Sequence, residues 1–241
     1  MLRINNVTKQ YKGSNKGIKS LNLQVEAGDI YAFIGHNGAG KTTTIKCIVG
    51  IHGLDEGEIF INGISVQKEP MKCKQRIAYI PDNPDLYEYL TGIQYLNFIA
   101  DVFEVSVRDR ECRIQKYADA FEITSSLGDL ISSYSHGMKQ KLAIISALVH
   151  APKLLILDEP FVGLDPKAAV ILKKIMHEIC HEGGAIFFST HVLDVAEKLC
   201  NKVAIIKNGT LIASGKMEDI VTKGQSLESI FMEVVDSGKT D

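Results

Sequence analysis

Residues 134–166 read YSHGMKQKLAIISALVHAPKLLILDEPFVGLDP, and the two halves of this stretch decide what must surround it. Leu154–Leu157 is a short apolar run of the kind that forms a strand buried on both faces. It ends on two carboxylates, Asp158 and Glu159. A buried strand that leaves its sheet on two acids suits phosphoryl chemistry. Asp158 can hold the shell of a Mg2+ ion and Glu159 can polarise an attacking water. About two helical turns of basic and apolar sequence precede the strand, opened by Ser135-His136-Gly137. Ser135 can cap a helix that begins near Gly137, which aims a helix dipole's positive end at an anion.

A loop upstream supplies the reason to expect phosphates. Gly35-His36-Asn37-Gly38-Ala39-Gly40-Lys41-Thr42 fits the pattern GxxxxGK(S/T), between the apolar run Ile30–Ile34 and a helix-like segment, Thr42–Val49. Glycines let backbone N–H groups point inward without Cβ clashes, and the helix starting at Lys41 presents its positive end to the phosphates. Lys41 neutralises the β- and γ-phosphates, and the Thr42 hydroxyl can ligate Mg2+. By itself the loop does not separate kinases, GTPases, helicases and transport ATPases. His36 occupies a position in it that tolerates many side chains.

The first third of the chain reads as short strands. Leu21, Leu23 and Val25 alternate, and Asn62-Gly63 and Asn208-Gly209 each sit between apolar runs as tight hairpin turns needing positive φ. Residues from about 84 to 150 read as mainly helical. Thr91 with Gln94 forms a capping box, and Ile93, Leu96, Ile99 or Ala100, and Phe103 mark one helical face. Strands return at Leu154–Leu157, Ala185–Phe188 and Val203–Ile206, and Leu227, Ile230, Phe231 and Val234 mark a last short amphipathic helix. The order indicates an α/β core. The expected division is a core of residues 1–83 and 151–215, a helical subdomain at 84–150 and a helical tail at 216–241.

Composition narrows the class further. The 241 residues carry a net charge of −2, which argues against a broad nucleic-acid footprint. Five scattered cysteines show no metal-ligand spacing and are expected to be buried, reduced thiols of a cytosolic protein. MLRINNV has no charged leader followed by an apolar core, so no signal peptide is expected, and the apolar runs near Leu142–Val149 and Leu154–Leu157 are too short to span a bilayer.

With these motifs in order, the chain resembles the ATP-binding subunit of an ABC transporter. Ser135-His136-Gly137, within Tyr134–Met138, resembles that family's LSGGQ signature, and FVGLDP (Phe161–Pro166) the loop after its acidic strand. Ser189-Thr190-His191 resembles the switch-histidine segment, and Tyr11 stands where the family stacks an aromatic ring on adenine. The resemblance implies a P-loop NTPase (RecA-like) α/β core with an N-terminal antiparallel β subdomain and an inserted α-helical subdomain. It implies ATP and Mg2+ as cofactors and a head-to-tail dimer, formed with itself or a paralogue. ATP held by Gly38–Thr43 of one subunit, Thr43 included, would be capped by Ser135 and Gly137 of the other. His191 would orient the γ-phosphate and water, and Asp165 would bridge the subunits. A separate transmembrane permease would be driven from the cytoplasmic face of the membrane.

Several positions depart from the family pattern. Asp82 follows Ile77–Pro81 where the family has glutamine, so an ionised carboxylate replaces a hydrogen-bond donor, although it can reach Mg2+ through water. Tyr134, His136 and Met138 replace Leu, Gly and Gln of the signature. These variants and the GMKQK string resemble small ABC-2-type exporter subunits. Lys139 and Lys141 read as a solvated basic face. Tyr87, Tyr89, Tyr95 and Phe98 fit either a subdomain core or a surface that receives the permease, and His52, His136 and His150 have no constellation around them. His177-Glu178-Ile179-Cys180-His181 matches HExxH, but Gly183-Gly184 ends that helix and the third ligand within reach, Glu197, lies beyond another strand. The alternatives weighed are a soluble ABC-type ATPase acting on ribosomes or DNA, and a zinc peptidase.

Overall fold

A computed structural model of the chain describes residues 1–11, 13, 16–221 and 224–236, with side chains to residue 233. The end of the expected helical tail and the side chain of Val234 lie outside the described residues. The chain runs through β1 (Leu2–Gln10), β2 (Gly17–Val25), β3 (Ile30–Ile34), α1 (Lys41–Ile48), β4 (Glu56–Ile61), β5 (Ile64–Ser65), α2 (Pro70–Lys74) and β6 (Ile77–Ile80). Then come α3 (Gly92–Val102), α4 (Val107–Ala120) and α5 (His136–Leu148). The last part is β7 (Leu154–Asp158), α6 (Pro166–His181), β8 (Ala185–Thr190), α7 (Leu193–Leu199), β9 (Lys202–Lys207), β10 (Thr210–Lys216), α8 (Met217–Ile220) and α9 (Leu227–Asp236).

Two sheets result. The antiparallel one has the order β2-β1-β4-β5; the other has the order β10-β9-β3-β8-β7-β6, parallel except for β10. Strand periodicity divides the second sheet's side chains between two cores. Tyr31, Phe33, Ile156, Phe187 and Ile206 face α1 and the antiparallel sheet. Ala32, Ile34, Leu155, Leu157, Phe188 and Ile205 face the helices. This is why β3, β7 and β8 read as continuous apolar runs: every residue of each is buried. A fully buried Phe or Ile contributes roughly 1.5–3 kcal/mol, so these strands fix the frame on which the loops sit.

Local chemistry sets the turns and helix ends. Asn62 (φ 50°), Gly63 (79°), Asn208 (48°) and Gly209 (79°) form the two expected hairpin turns. Thr91 and Gln94 exchange both bonds of the capping box. Ser135 caps α5, its Oγ accepting the Met138 N–H at 3.3 Å. That helix has 13 residues, well beyond the two turns expected. It is buried along 142–148, so no polar face marks its length. Gly183 (φ 79°) stops the chain just after α6 as expected. Cys112 is exposed, unlike Cys47, Cys73, Cys180 and Cys200, because it lies on the outer face of α4.

Candidate functional site

Strand order brings the sequence motifs together. β3, β8, β7 and β6 lie side by side and parallel, so their carboxyl ends open on one edge, where α/β sheets bind ligands. β3 leads into Gly35–Gly40, β8 into His191, β7 into Glu159, and β6 through Pro81 into Asp82. A cavity of about 570 Å3 there is lined by Asn37, Gly38, Lys41, Thr42, Asp82, Asp158 and Glu159, with Tyr11, His36, Gly40 and Thr43 beside them and Lys16 and Gly17, which no motif marked, completing it. Tyr11 Oη lies 3.3 Å from Thr43 Oγ1, and its ring meets His52 edge-on at 5.8 Å.

Packing explains the loop's glycines individually. A Cβ on Gly35 would fall 2.5 Å from the Ile206 carbonyl oxygen of β9. Gly38 has room for a Cβ but holds φ at 81°, a conformation that L side chains rarely adopt. The Gly209 N–H donates to the Ala39 carbonyl at 2.8 Å, so the β9–β10 turn buttresses the loop from outside. Lys41, 7% exposed, donates from Nζ to the Gly35 carbonyl at 2.7 Å and lies 3.5 Å from Glu159 Oε1.

Glu159 stands at φ 49°. Its N–H donates to the Ser189 carbonyl and Oγ, both at 3.2 Å, which holds this left-handed conformation. His191 approaches the other carboxylate oxygen, with Nδ1 3.0 Å from Oε2. Asp158 is 2% exposed and accepts a bond from the Ser189 hydroxyl. Asp82 is exposed at the rim, yet partial desolvation first, then the charges of Asp158 and Glu159, raise its carboxyl above the ordinary value. Tyr79 beneath is pushed up to about 12 by burial and then by Asp158 and Asp82.

The remaining predicted site residues gather elsewhere. Ser135, Gly137 and Asp165 do not line the cavity. The N-terminus of α5 packs on the loop Phe161–Asp165, where Gly163 leaves no room for a Cβ against the His136 ring. Lys141 Nζ pairs with Asp165 Oδ2 at 2.8 Å, and Asp165 also caps α6 by accepting the Ala168 N–H at 2.8 Å. Lys139 pairs with Glu88. The basic face expected to be solvated is thus tied down, because both lysines meet acids from distant loops.

Other histidines also have partners that the sequence did not reveal. His150 stacks on Phe103 at 3.7 Å between centroids, with Nε2 3.0 Å from the Ile77 carbonyl. Glu197, weighed as a third zinc ligand, accepts the Leu227 N–H at 2.7 Å instead. Among the described residues no cluster of three His, Cys, Asp or Glu side chains could hold a metal unaided. The aromatics form one cluster around Tyr87, whose ring meets those of Tyr89, Tyr95 and Phe98; Tyr87, Tyr89 and Phe98 are exposed, whereas Tyr95 is half-buried.

A family model described as ABC transporter matches residues 18–162. EcsA of Bacillus subtilis (strain 168), an ABC-type transporter ATP-binding protein, is 34% identical over 238 residues, which cover 97% of this chain and 96% of EcsA. A solved ATP-binding subunit of an ABC transporter superposes with a TM-score of 0.93 at 35% identity, covering 98% of this chain and 99% of its own. The ATP-binding cassette MJ0796, solved as a dimeric post-hydrolysis state bound to ADP and Pi, shares the fold with a TM-score of 0.81 at 23% identity; the match covers 90% of this chain and 99% of that one.

Proposed function

This chain belongs to the ABC transporter family, as one of its ATP-binding proteins, and from that membership we propose that it hydrolyses Mg-ATP in a head-to-tail dimer and so drives a separate membrane permease, as an exporter. The observation that carries the proposal is the separation of the motif residues into two groups. Lys41, Thr42, Asp158 and Glu159 share one cavity, while Ser135, Gly137 and Asp165 lie outside its lining, at the N-terminus of α5 and on the loop packed against it. A helix N-terminus built to receive an anion, yet away from its own chain's phosphate loop, suits a partner's nucleotide.

In the proposed reaction the phosphate loop and Lys41 bind the β- and γ-phosphates, and Tyr11 packs on the adenine. Thr42, Asp158 and Asp82 offer hard oxygen donors on one cavity, with too few acids to hold a metal alone, which fits Mg2+ shared with substrate phosphates and water. When bound, Mg2+ supplies charge neutralisation at the phosphates. Glu159 accepts a proton from water as the water oxygen bonds to the γ-phosphorus and the bond to the ADP oxygen breaks. His191 holds Glu159 in position. The products are ADP and phosphate.

Residues 1–83 and 151–215 act in this reading as the ATP-binding core, 84–150 as the moving helical subdomain, and 216–241 as a tail. Closure would reach the permease through the segment Asp82–Thr91, which leads from the cavity to the exposed Tyr87 and Tyr89. An apolar groove of about 320 Å3, lined by Tyr79, Tyr95, Ile99 and Phe103 among others, adjoins Tyr87 through the Tyr95 ring and suits an apolar side of the permease. No helix of the described residues is long and apolar enough to cross a membrane. The proposed station is the cytoplasmic face of the cell membrane, bound to the permease, with no nucleic-acid partner.

Glu159→Gln tests the proposal. The purified variant is expected to keep ATP binding, lose roughly 10²–10⁴ in turnover, and elute from gel filtration as a dimer only with ATP. A variant that stays monomeric in saturating ATP would exclude the shared site.

A further inference from the structure

The phosphate loop touches the last helix, a contact that no motif predicts. His36 lines the cavity, and its ring also lies 4.9 Å from that of Phe231, tilted by 58°, within the range of favourable aromatic contacts. Phe231 belongs to α9 and is 6% exposed; Leu227, one turn earlier, is fully buried, so the two form the helix's inner face. The helix is firmly started. Ser226 and Ser229 donate their N–H groups to each other's hydroxyls, at 3.0 and 3.1 Å, in the reciprocal pattern of a capping box. Glu197 of α7 accepts the Leu227 N–H at 2.7 Å, and α7 begins two residues after His191.

We infer that α9 is a clasp on the ATP site, in which Phe231 is a positioning residue that holds the phosphate loop through His36 and links it to the helix following His191. A loop with Gly38 and Gly40 at positive φ has much conformational freedom to lose when it wraps a phosphate. A ring seated on a packed helix removes part of that freedom before ATP arrives, which raises affinity by pre-organisation. Because Glu197 ties α9 to α7, displacement of the loop by nucleotide is transmitted toward the His191 segment as well.

The inference rests on the proposed reading of this cavity as the ATP site, and titration of the unaltered protein with Mg-ATP tests that reading separately. The test compares His36→Ala, Phe231→Leu and the double variant by equilibrium ATP binding and steady-state hydrolysis. His36 is exposed, so its replacement leaves the core intact; leucine at 231 keeps apolar bulk and removes the ring. Each single change is expected to weaken ATP binding about two- to ten-fold, the worth of one aromatic pair, and Phe231→Leu, whose site lies outside the cavity, should change kcat far less than it changes binding. The double variant should be no weaker than the singles. The chain contains no tryptophan, so Phe231→Trp places its sole indole against the loop, and the indole emission, excited selectively to the red of tyrosine absorption, should change on ATP binding. If the unaltered protein binds ATP while the singles bind it equally well, the clasp is refuted and the ATP site stands. Additive losses in the double variant, or emission indifferent to ATP, would also refute it. No ATP binding by the unaltered protein would overturn both readings.

Discussion

Nδ1 of His191 lies 3.0 Å from Oε2 of Glu159, and the His191 backbone N–H donates to the same oxygen at 3.3 Å. The second oxygen, Oε1, is 3.5 Å from Lys41 Nζ. One carboxylate therefore ties together the segments that follow β3, β7 and β8. Its own side chain is largely buried, 12% exposed, whereas that of His191 is 55% exposed. In the proposed reaction the imidazole is an outer brace on an inner base.

Replacing that brace should separate binding from chemistry. His191→Ala keeps the backbone N–H bond to Glu159 but frees one side of the carboxylate. Turnover is expected to fall by roughly 10²-fold with ATP affinity changed far less, read from kcat beside an equilibrium binding constant. Loss of affinity as large as the loss of turnover would show that His191 serves binding alone.

The phosphate loop is braced from behind by β9, and Gly35→Ala probes this contact. Its Cβ would meet the Ile206 carbonyl oxygen at 2.5 Å and Ile206 Cγ2 at 2.8 Å. Backbone atoms of a buried strand cannot yield cheaply, so overpacking of roughly 1–3 kcal/mol is expected in urea unfolding. Weaker ATP binding should accompany it, since the loop and β9 move together. An unchanged unfolding midpoint would mean that the loop is not seated on β9.

Lys141→Met addresses the second group of residues. Lys141 is the foremost cause that holds the Asp165 carboxyl below its ordinary value, followed by the Ala168 N–H. Removing the ammonium should move the Asp165 titration upward, measurable by carboxyl NMR, while the remaining bond to Ala168 keeps the cap of α6. A titration that stays in place would assign the depression to the helix N-terminus instead.

What could be read beforehand was local. Asn-Gly turns, the Thr91–Gln94 box, the Ser135 cap and the apolar strands follow from interactions within a few residues, and each holds in the fold. The phosphate loop and acidic strand end were legible because backbone geometry forces glycines and acids into fixed spacings. What escaped were pairings across the chain: Lys141 with Asp165, His36 with Phe231, Glu197 with the start of α9. Periodicity says which side of a helix is buried but not what covers it, and a lone histidine or lysine carries no sign of a partner far along the chain. The length of α5 escaped for a related reason, since a helix buried on most sides loses the polar stripe that marks its extent.

His150 gives the fold a predictable acid sensitivity. Its ring stacks on Phe103, and Nε2 must carry the proton that bonds to the Ile77 carbonyl at 3.0 Å. That leaves Nδ1 as a bare acceptor, buried and with no hydrogen-bond partner. Burial, foremost, depresses the imidazole below its ordinary 6.5; the Ile77 carbonyl opposes this, and nearby Arg113, whose guanidinium donates to the Val149 carbonyl, adds to the depression. In the unfolded chain the imidazole titrates normally. Above pH 6.5 both states are neutral there and the native state has its full stability from this site. As pH falls below that value the unfolded chain takes up a proton that the native state refuses. Stability is then lost, by at most about 1.4 kcal/mol per pH unit for one proton, until the native imidazole itself titrates. His150→Gln keeps a donor near Ile77 and removes the titration. It should lower stability at all pH values through the lost stacking, yet shallow the decline between neutral and mildly acid solution. The other six histidines are common to both proteins, so a difference in slope belongs to this site. Urea unfolding at several pH values reads it, and parallel stability curves for the two proteins would show that His150 accepts its proton as freely folded as unfolded.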